Sequence, residues 1–225
     1  MRALPARMAC SVIVVAALAS PHGAGAADVP IQPGAQVSSS VGLCTLNFVF
    51  RDGTKRYVGT AGHCVERVGD RVTATGAGAF GTVAFRTEAG TDDFALIEID
   101  GDKLSLVSAT VRGIGLPTGY TRSTETALGD VIQLSGYGIG FSLLAQTRTR
   151  TGLLAADNDR RFFAEIPAVF GDSGGPVVHQ ASGKALGVVS GIGVTIPPST
   201  LLGTTVERVL VLVREAGFDV SLVTA

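Results

Sequence analysis

The stretch Gly171-Asp172-Ser173-Gly174-Gly175-Pro176 places a hydroxyl in surroundings suited to attack on a carbonyl. A serine hydroxyl is a poor nucleophile at its own pKa and needs a base beside it and donors for negative charge. Glycines on both sides of Ser173 keep side chains away from an incoming carbonyl. They also let backbone N–H groups, here those of Gly171 and Ser173, point at one spot, as an oxyanion hole requires. Asp172, inside the same turn, could anchor it by accepting a buried hydrogen bond or salt bridge. Asp, Ser and Gly are ordinary turn residues as well, so the hexapeptide alone also fits a Gly-rich hairpin without chemistry.

A base and an acid to orient it must come from elsewhere in the chain. Beyond an N-terminal leader, described below, there are two histidines, His63 and His179. Histidine suits the base role because its unperturbed pKa lies near neutrality. His63 closes an apolar strand in Thr60-Ala61-Gly62-His63-Cys64. His179 follows a strand in the polar turn His179-Gln180-Ala181-Ser182-Gly183 and is read as a solvated turn residue. Asp92-Asp93-Phe94-Ala95-Leu96-Ile97 supplies a carboxylate just before an apolar strand. A solvated strand-end acid is the ordinary reading of any lone aspartate. The chain order His, Asp, Ser favours Asp93, with Asp92 as the runner-up.

The elements that must hold these residues are short. Leu43–Phe50, Arg56–Thr60, Arg71–Thr75, Gly81–Phe85 and Phe94–Ile99 read as strands separated by turn formers such as Arg51-Asp52-Gly53-Thr54. A second set follows over Val131–Ser135, Leu143–Thr151, Arg161–Ile166, Pro176–His179 and Ala185–Ser190. Strands at this spacing without helical periodicity predict an all-β protein of two antiparallel β-barrels. The expected N-terminal barrel spans 41–110 and carries His63 and Asp93; the C-terminal barrel, within 111–225, carries Ser173. Asp102–Thr121 reads as a crossover linker. One helix is expected, over 205–217: Thr204 and Glu207 form a capping box, Val206, Val209, Leu210 and Val213 repeat at helical spacing, and Gly217 is the stop.

The chain has 225 residues, 46% hydrophobic and 16% charged, with 30 glycines and a net charge of −1. This is a compact globular composition, and without a basic patch it argues against a nucleic-acid partner. Residues 1–26 read as a signal peptide. Arg2 and Arg7 form a positive region, Met8–Ala19 an apolar run, and Ala24-Gly25-Ala26-Ala27 a small-residue cleavage site. The run falls short of the roughly 20 residues that span a bilayer. Removing residues 1–26 takes away two arginines and no acid, leaving a net charge of about −3. Residues 27–40 form a short N-terminal segment or propeptide. Of the three cysteines, Cys10 leaves with the leader, and the remaining pair in an exported chain favours a Cys44–Cys64 disulfide over two free thiols. No metal-ligand spacing, phosphate loop or dinucleotide fingerprint is present, so neither metal nor cofactor is expected.

Thr60-Ala61-Gly62-His63-Cys64, Asp93-Phe94-Ala95-Leu96 and Gly171-Asp172-Ser173-Gly174-Gly175-Pro176 together resemble the chymotrypsin-like (trypsin-fold) serine peptidases. The likeness covers roughly residues 41–217 and is greatest to short bacterial secreted members of the streptogrisin and α-lytic type. Cys44-Thr45-Leu46 looks like their first strand with the disulfide beside the histidine. Ala185-Leu186-Gly187-Val188-Val189-Ser190-Gly191 resembles their cleft strand, and Gly203-Thr204-Thr205 their last strand. The resemblance implies two six-stranded barrels and a secreted monomeric endopeptidase acting on polypeptides, with a protein inhibitor as a candidate partner. It implies that Ser173 attacks, His63 shuttles the proton, Asp93 orients the imidazole, and Gly171 and Ser173 hold the oxyanion.

The chain also departs from that pattern. By analogy the substrate pocket lies between Pro167-Ala168-Val169-Phe170 and Ser190-Gly191-Ile192. Trypsin-like members carry an aspartate where this chain has Pro167, so selection for Lys or Arg is not expected. Ile192 stands where roomy pockets have glycine, which points to small or medium aliphatic residues. Arg150, Arg148 and Arg122 are the candidate cations for Asp172, and the position where relatives keep theirs looks like Leu134, ahead of Gly136-Tyr137-Gly138. The alternative reading is a catalytically silent binding protein on the same fold.

Overall fold

The computed structural model describes residues 29–87, 92–138, 149–193 and 200–225. The leader, Arg148 and most of the expected strand Leu143–Thr151 lie outside them. The first half contributes β1 (Gln36–Ser39), β2 (Gly42–Thr45), β3 (Val49–Asp52), β4 (Lys55–Thr60), β5 (Arg71–Ala74), β6 (Gly78–Arg86) and β7 (Ala95–Ile99). The second half contributes β8 (Val131–Ser135), β9 (Thr149–Asp157), β10 (Arg161–Glu165), β11 (Pro176–His179), β12 (Lys184–Gly193) and β13 (Thr200–Thr205), then α1 (Val206–Glu215) and β14 (Ser221–Leu222).

The all-β architecture with a C-terminal helix is as the sequence implies, and the two halves differ in detail. β8 to β13 close into a six-stranded antiparallel barrel in the order β10-β13-β12-β11-β8-β9. The first half forms an eight-stranded antiparallel sheet in the order β14-β3-β4-β7-β6-β5-β1-β2. It begins before Val41, at β1, and takes an edge strand, β14, from beyond the helix. The expected single strand over Leu43–Phe50 is two strands, because the chain changes partners at the buried corner Leu46-Asn47-Phe48. Thr45 pairs with Gln36 of β1, whereas Val49 pairs with Val58 of β4.

One apolar cluster fills the first sheet around Val58, Val72, Phe80 and Ile97, and another fills the barrel around Ile132, Phe162 and Val177. A third joins the halves: Phe48, Phe50, Phe94 and Leu96 of the first meet Val178, Val188 and the α1 residues Val206, Val209 and Val213. Phe50 and Phe94 pack edge to face at 6.1 Å, an arrangement aromatic quadrupoles favour.

The helix starts one residue later than its expected capping box. The cap is Thr205, whose hydroxyl accepts the Arg208 N–H at 3.2 Å. Thr204 still belongs to β13, so its hydroxyl is directed into the molecule instead of onto the helix. At the other end Gly217 (φ +90°) donates to Arg214 O and Phe218 to Val213 O, the pair of bonds that closes a Schellman stop.

Candidate active site

His63 sits in a short 3-10 turn, Gly62–Cys64, at the end of β4, and Asp93 lies just ahead of β7. These strands are neighbours, with Thr60 opposite Ala95, so the register brings the two side chains together. His63 Nδ1 is 2.7 Å from Asp93 Oδ2, and the His63 backbone N–H donates to Asp93 Oδ1 at 2.9 Å. Two donors from one residue fix the carboxylate, and the proton held on Nδ1 leaves Nε2 free to accept another. The hydrogen bond to Asp93 raises the His63 pKa above its ordinary 6.5, outweighing the opposing effect of partial burial. Asp93 is itself held by Thr204, whose Oγ1 accepts the Asp93 N–H at 3.2 Å and lies 3.2 Å from Ser190 Oγ.

Ser173 lies on the other half, in the turn before β11, and the first half packs directly against that turn. Ser173 O accepts the Thr45 N–H at 2.8 Å, and Cys64 Sγ is 3.8 Å from the same oxygen. Thr45 Oγ1 donates to Gly171 O at 2.7 Å while accepting the Tyr137 N–H at 2.9 Å. Ser173 Oγ makes no hydrogen bond to His63 here; free enzymes commonly hold that contact long and tighten it on substrate. A Cβ on Gly174 (φ +84°) would meet Thr60 Oγ1 at 2.3 Å and Thr45 O at 2.4 Å, so only glycine lets the serine turn approach the histidine segment this closely. Cys44 and Cys64 are joined in the expected disulfide, beside His63.

The turn is anchored from beneath. Asp172 is fully buried and receives a two-pronged salt bridge from Arg150, at 2.5 and 2.6 Å. The Gly138 and Val169 N–H groups complete its shell at 2.9 and 2.8 Å. Among the three candidate cations, Arg150 is therefore the partner. It lies on β9 directly across from Leu134 of β8, so the charge comes from one strand over. A Cβ on Gly136 would fall 2.1 Å from Asp172 Oδ1, which explains the glycine there.

The residues expected to line the substrate pocket flank this turn. Pro167 is exposed and its carbonyl accepts from Arg150, whereas Ala168 is buried. β12 pairs with β13 irregularly between Val189 and Gly191, a bulge that singles out Ser190 and turns it toward Thr204. Gly191 has open space around it, and Ile192 packs against the barrel core.

Two expectations need correction. Asp92, the runner-up acid, is turned away from His63: it is buried against Arg160 at 2.7 Å and Arg208 at 2.9 Å. Burial pushes its carboxyl up, but hydrogen bonds from Arg208 and Arg160 prevail and hold it below the usual range. His179 is not solvated. It is 8% exposed, with Nδ1 2.8 Å from Ser182 Oγ and Nε2 3.2 Å from Asp130 Oδ2, because the β8–β11 pairing lays it against the Asp130 turn. Thr45, Thr204 and Arg208 complete this supporting shell; a lone threonine in a strand or arginine in a helix carries no signal of that role in the sequence.

Among the described residues, one group of His, Cys or acidic side chains is close enough to share a metal, namely Cys44, His63 and Cys64. Both cysteines are spent in the disulfide, which leaves a single imidazole and no ligand set.

The trypsin family model matches residues 24–207. The chain belongs to the trypsin family of serine endopeptidases. No protein with a curated description matches it. Solved structures similar to this trypsin-family chain include Thermobifida fusca Protease A, at 24% identity and TM-score 0.64 over 87% of this chain and 99% of that one. A Cellulomonas bogoriensis chymotrypsin is similar at 22% identity and TM-score 0.62 over 87% and 99%, and a Nocardiopsis protease at 20% and 0.63 over 86% and 99%. At these identities the structures speak for the shared fold.

Proposed function

We propose that this trypsin-family chain is a secreted endopeptidase that cleaves peptide bonds through an acyl-enzyme on Ser173. The observation that carries the reading is the 2.7 Å His63–Asp93 contact, set beside a serine turn whose position the first half fixes through Thr45 and Gly174. Ser173 Oγ attacks the scissile carbonyl while His63 Nε2 takes its proton. The N–H groups of Gly171 and Ser173 stabilise the oxyanion; Gly171 has φ +97°, and among the described residues neither amide donates to another carbonyl. His63 then returns the proton to the leaving amine, water repeats the cycle, and Asp93 keeps the imidazole in one tautomer throughout.

Ser173→Ala is expected to abolish turnover of a casein substrate and labelling by a fluorophosphonate, with an unchanged melting transition. Wild-type activity in that variant would overturn the assignment. For the substrate side chain before the scissile bond, small or medium aliphatic residues fit best: Pro167 stands where trypsin-like members carry the aspartate that pairs a buried cation, and Ile192 stands where roomy pockets have glycine. A chromogenic peptide panel cleaved best after Arg or Phe would refute this preference. The leader at residues 1–26 supports export, and no helix among the described residues is long and apolar enough to cross a membrane.

A further inference from the structure

Asp92 has no part in the chemistry above, yet it is 4% exposed and adjacent to Asp93. One of its oxygens, Oδ2, accepts three hydrogen bonds: from Arg160 Nη2 at 2.7 Å, Arg208 Nε at 3.0 Å and Arg208 Nη2 at 2.9 Å. Both arginines belong to the half that carries Ser173, Arg160 in the β9–β10 turn and Arg208 in the first turn of α1. They are fixed to each other before they meet Asp92. Thr205, which caps the helix at Arg208, donates its N–H to Arg160 O at 3.0 Å and its hydroxyl to Asp159 O at 2.8 Å. The Arg160 N–H is held by Asn158 Oδ1 at 2.8 Å.

We infer that Asp92, Arg160 and Arg208 form a positioning clamp that fixes Asp93, and through it His63, relative to the half that bears Ser173. The inference rests on the reading of His63 and Asp93 as base and orienting acid. Two adjacent residues of the first half are thereby fastened across the seam, Asp92 by its side chain and Asp93 by its N–H on Thr204. Two such points define both the place and the rotation of the segment, which a single contact cannot. The distance over which His63 must meet Ser173 is then set by rigid elements of the fold.

The clamp also has a charge signature. Two guanidinium groups face one carboxylate, so it carries a net positive charge next to Asp93. Among the described residues Asp93 is the one ionisable group paired with His63; Glu66 and Arg67, on the segment that follows, are exposed to solvent. Replacing Asp92 with asparagine increases the positive charge and loosens the hold on Asp93. Both effects weaken the protonated form of His63, in the same direction.

The experiment reads His63 directly, by NMR titration in a Ser173→Ala background, alongside kcat and KM of the same clamp variants with the serine intact. Asp92→Asn is expected to lower the His63 pKa by roughly half a unit. It should lower kcat about tenfold with KM little changed, as a positioning loss does. Arg208→Lys keeps the charge and loses the two-pronged contact, so it should retain the His63 pKa and show the kcat loss in part. If Asp92→Asn does not fold, the kcat loss is read on Arg208→Lys and on Arg160→Gln, at a site half exposed; Arg160→Gln removes a positive charge, so its electrostatic effect should raise the His63 pKa instead of lowering it. A His63 pKa within 0.1 unit of the parent, with only the melting temperature reduced, would make the cluster a fold staple and overturn the inference. If the pKa moves as stated but the intact-serine enzyme shows no peptidase activity, the failure lies with the peptidase reading and not with the clamp.

Discussion

Replacing Arg150 with methionine is the perturbation that tests most directly how the serine turn is held. The side chains of Arg150 and Asp172 are 8% and 0% exposed, and the two contacts between them are 2.5 and 2.6 Å. Methionine fills much of the same volume but leaves the Asp172 carboxylate buried with only the Gly138 and Val169 amides. Stranding one partner of a buried pair costs about 3–5 kcal/mol. For a chain of this size each kcal/mol moves the melting temperature by about 2–4 °C, so a fall of about 6–20 °C is expected. Asp172 lies between Gly171 and Ser173, whose amides are assigned to the oxyanion, so function should suffer below the melting transition too. Fluorophosphonate labelling of Ser173, followed at a temperature where the variant is fully folded by circular dichroism, should slow at least tenfold, part of the roughly 10²–10³-fold that outright loss of one oxyanion donor costs. Arg150→Lys keeps the charge but cannot reach both oxygens at once, and should fall between the two. A methionine variant that melts within 2 °C of the wild type and labels at the wild-type rate would refute the reasoning.

Three further outcomes follow from the same geometry. Because Asp93 raises the His63 pKa, kcat/KM should fall on the acid side through a pKa above 6.5; in Asp93→Asn that limb should move to lower pH while kcat drops about 10⁴-fold, measured with a chromogenic peptide across pH 5–9. The same pairing stabilises the folded state when His63 is charged, fully below its ordinary pKa and no longer once pH passes the raised one, so the melting difference between wild type and Asp93→Asn should be largest below about pH 6 and narrow above. Gly174→Ala, with φ +84° and a methyl forced against Thr60 Oγ1 and Thr45 O, should lose the labelling reaction and melt lower, the backbone conformation alone costing about 1–2 kcal/mol; a fully labelled variant would show that the turn can move aside.

β8 and β11 of the barrel were legible to the residue, because each is an apolar run bounded by turn formers, whereas β9 runs over Thr149–Asp157 and overlaps the expected Leu143–Thr151 only at its start. Short motifs around Ser173, His63 and Asp93 were legible for another reason: chemistry restricts which residue types can stand there. Contacts that depend on register were hidden. Arg150 could not be chosen over its neighbours until β8 and β9 were paired and Leu134 stood opposite it. His179 looked solvated because its sequence neighbours are polar, whereas the Asp130 that covers it arrives from a different strand end. Thr204 looks like a helix cap because Glu207 follows at capping distance, and only the Arg208 N–H bond to Thr205 Oγ1 shows that the cap belongs to Thr205. The corner at Leu46-Asn47-Phe48 is apolar enough to pass for uninterrupted strand, and its change of partner leaves no mark in composition.

The strand β14 carries a consequence for how the protein comes into being. Residues 221–222 add to β3, and Val223 donates to Val49, so the half that begins the chain is finished by residues made long after it. During synthesis the early half emerges with an open rim at Phe50 and Arg51 and must wait for more than 160 further residues. The barrel of the second half closes with its own strands β8 to β13, whereas the rim of the first half is covered only once residues 221–223 are in place.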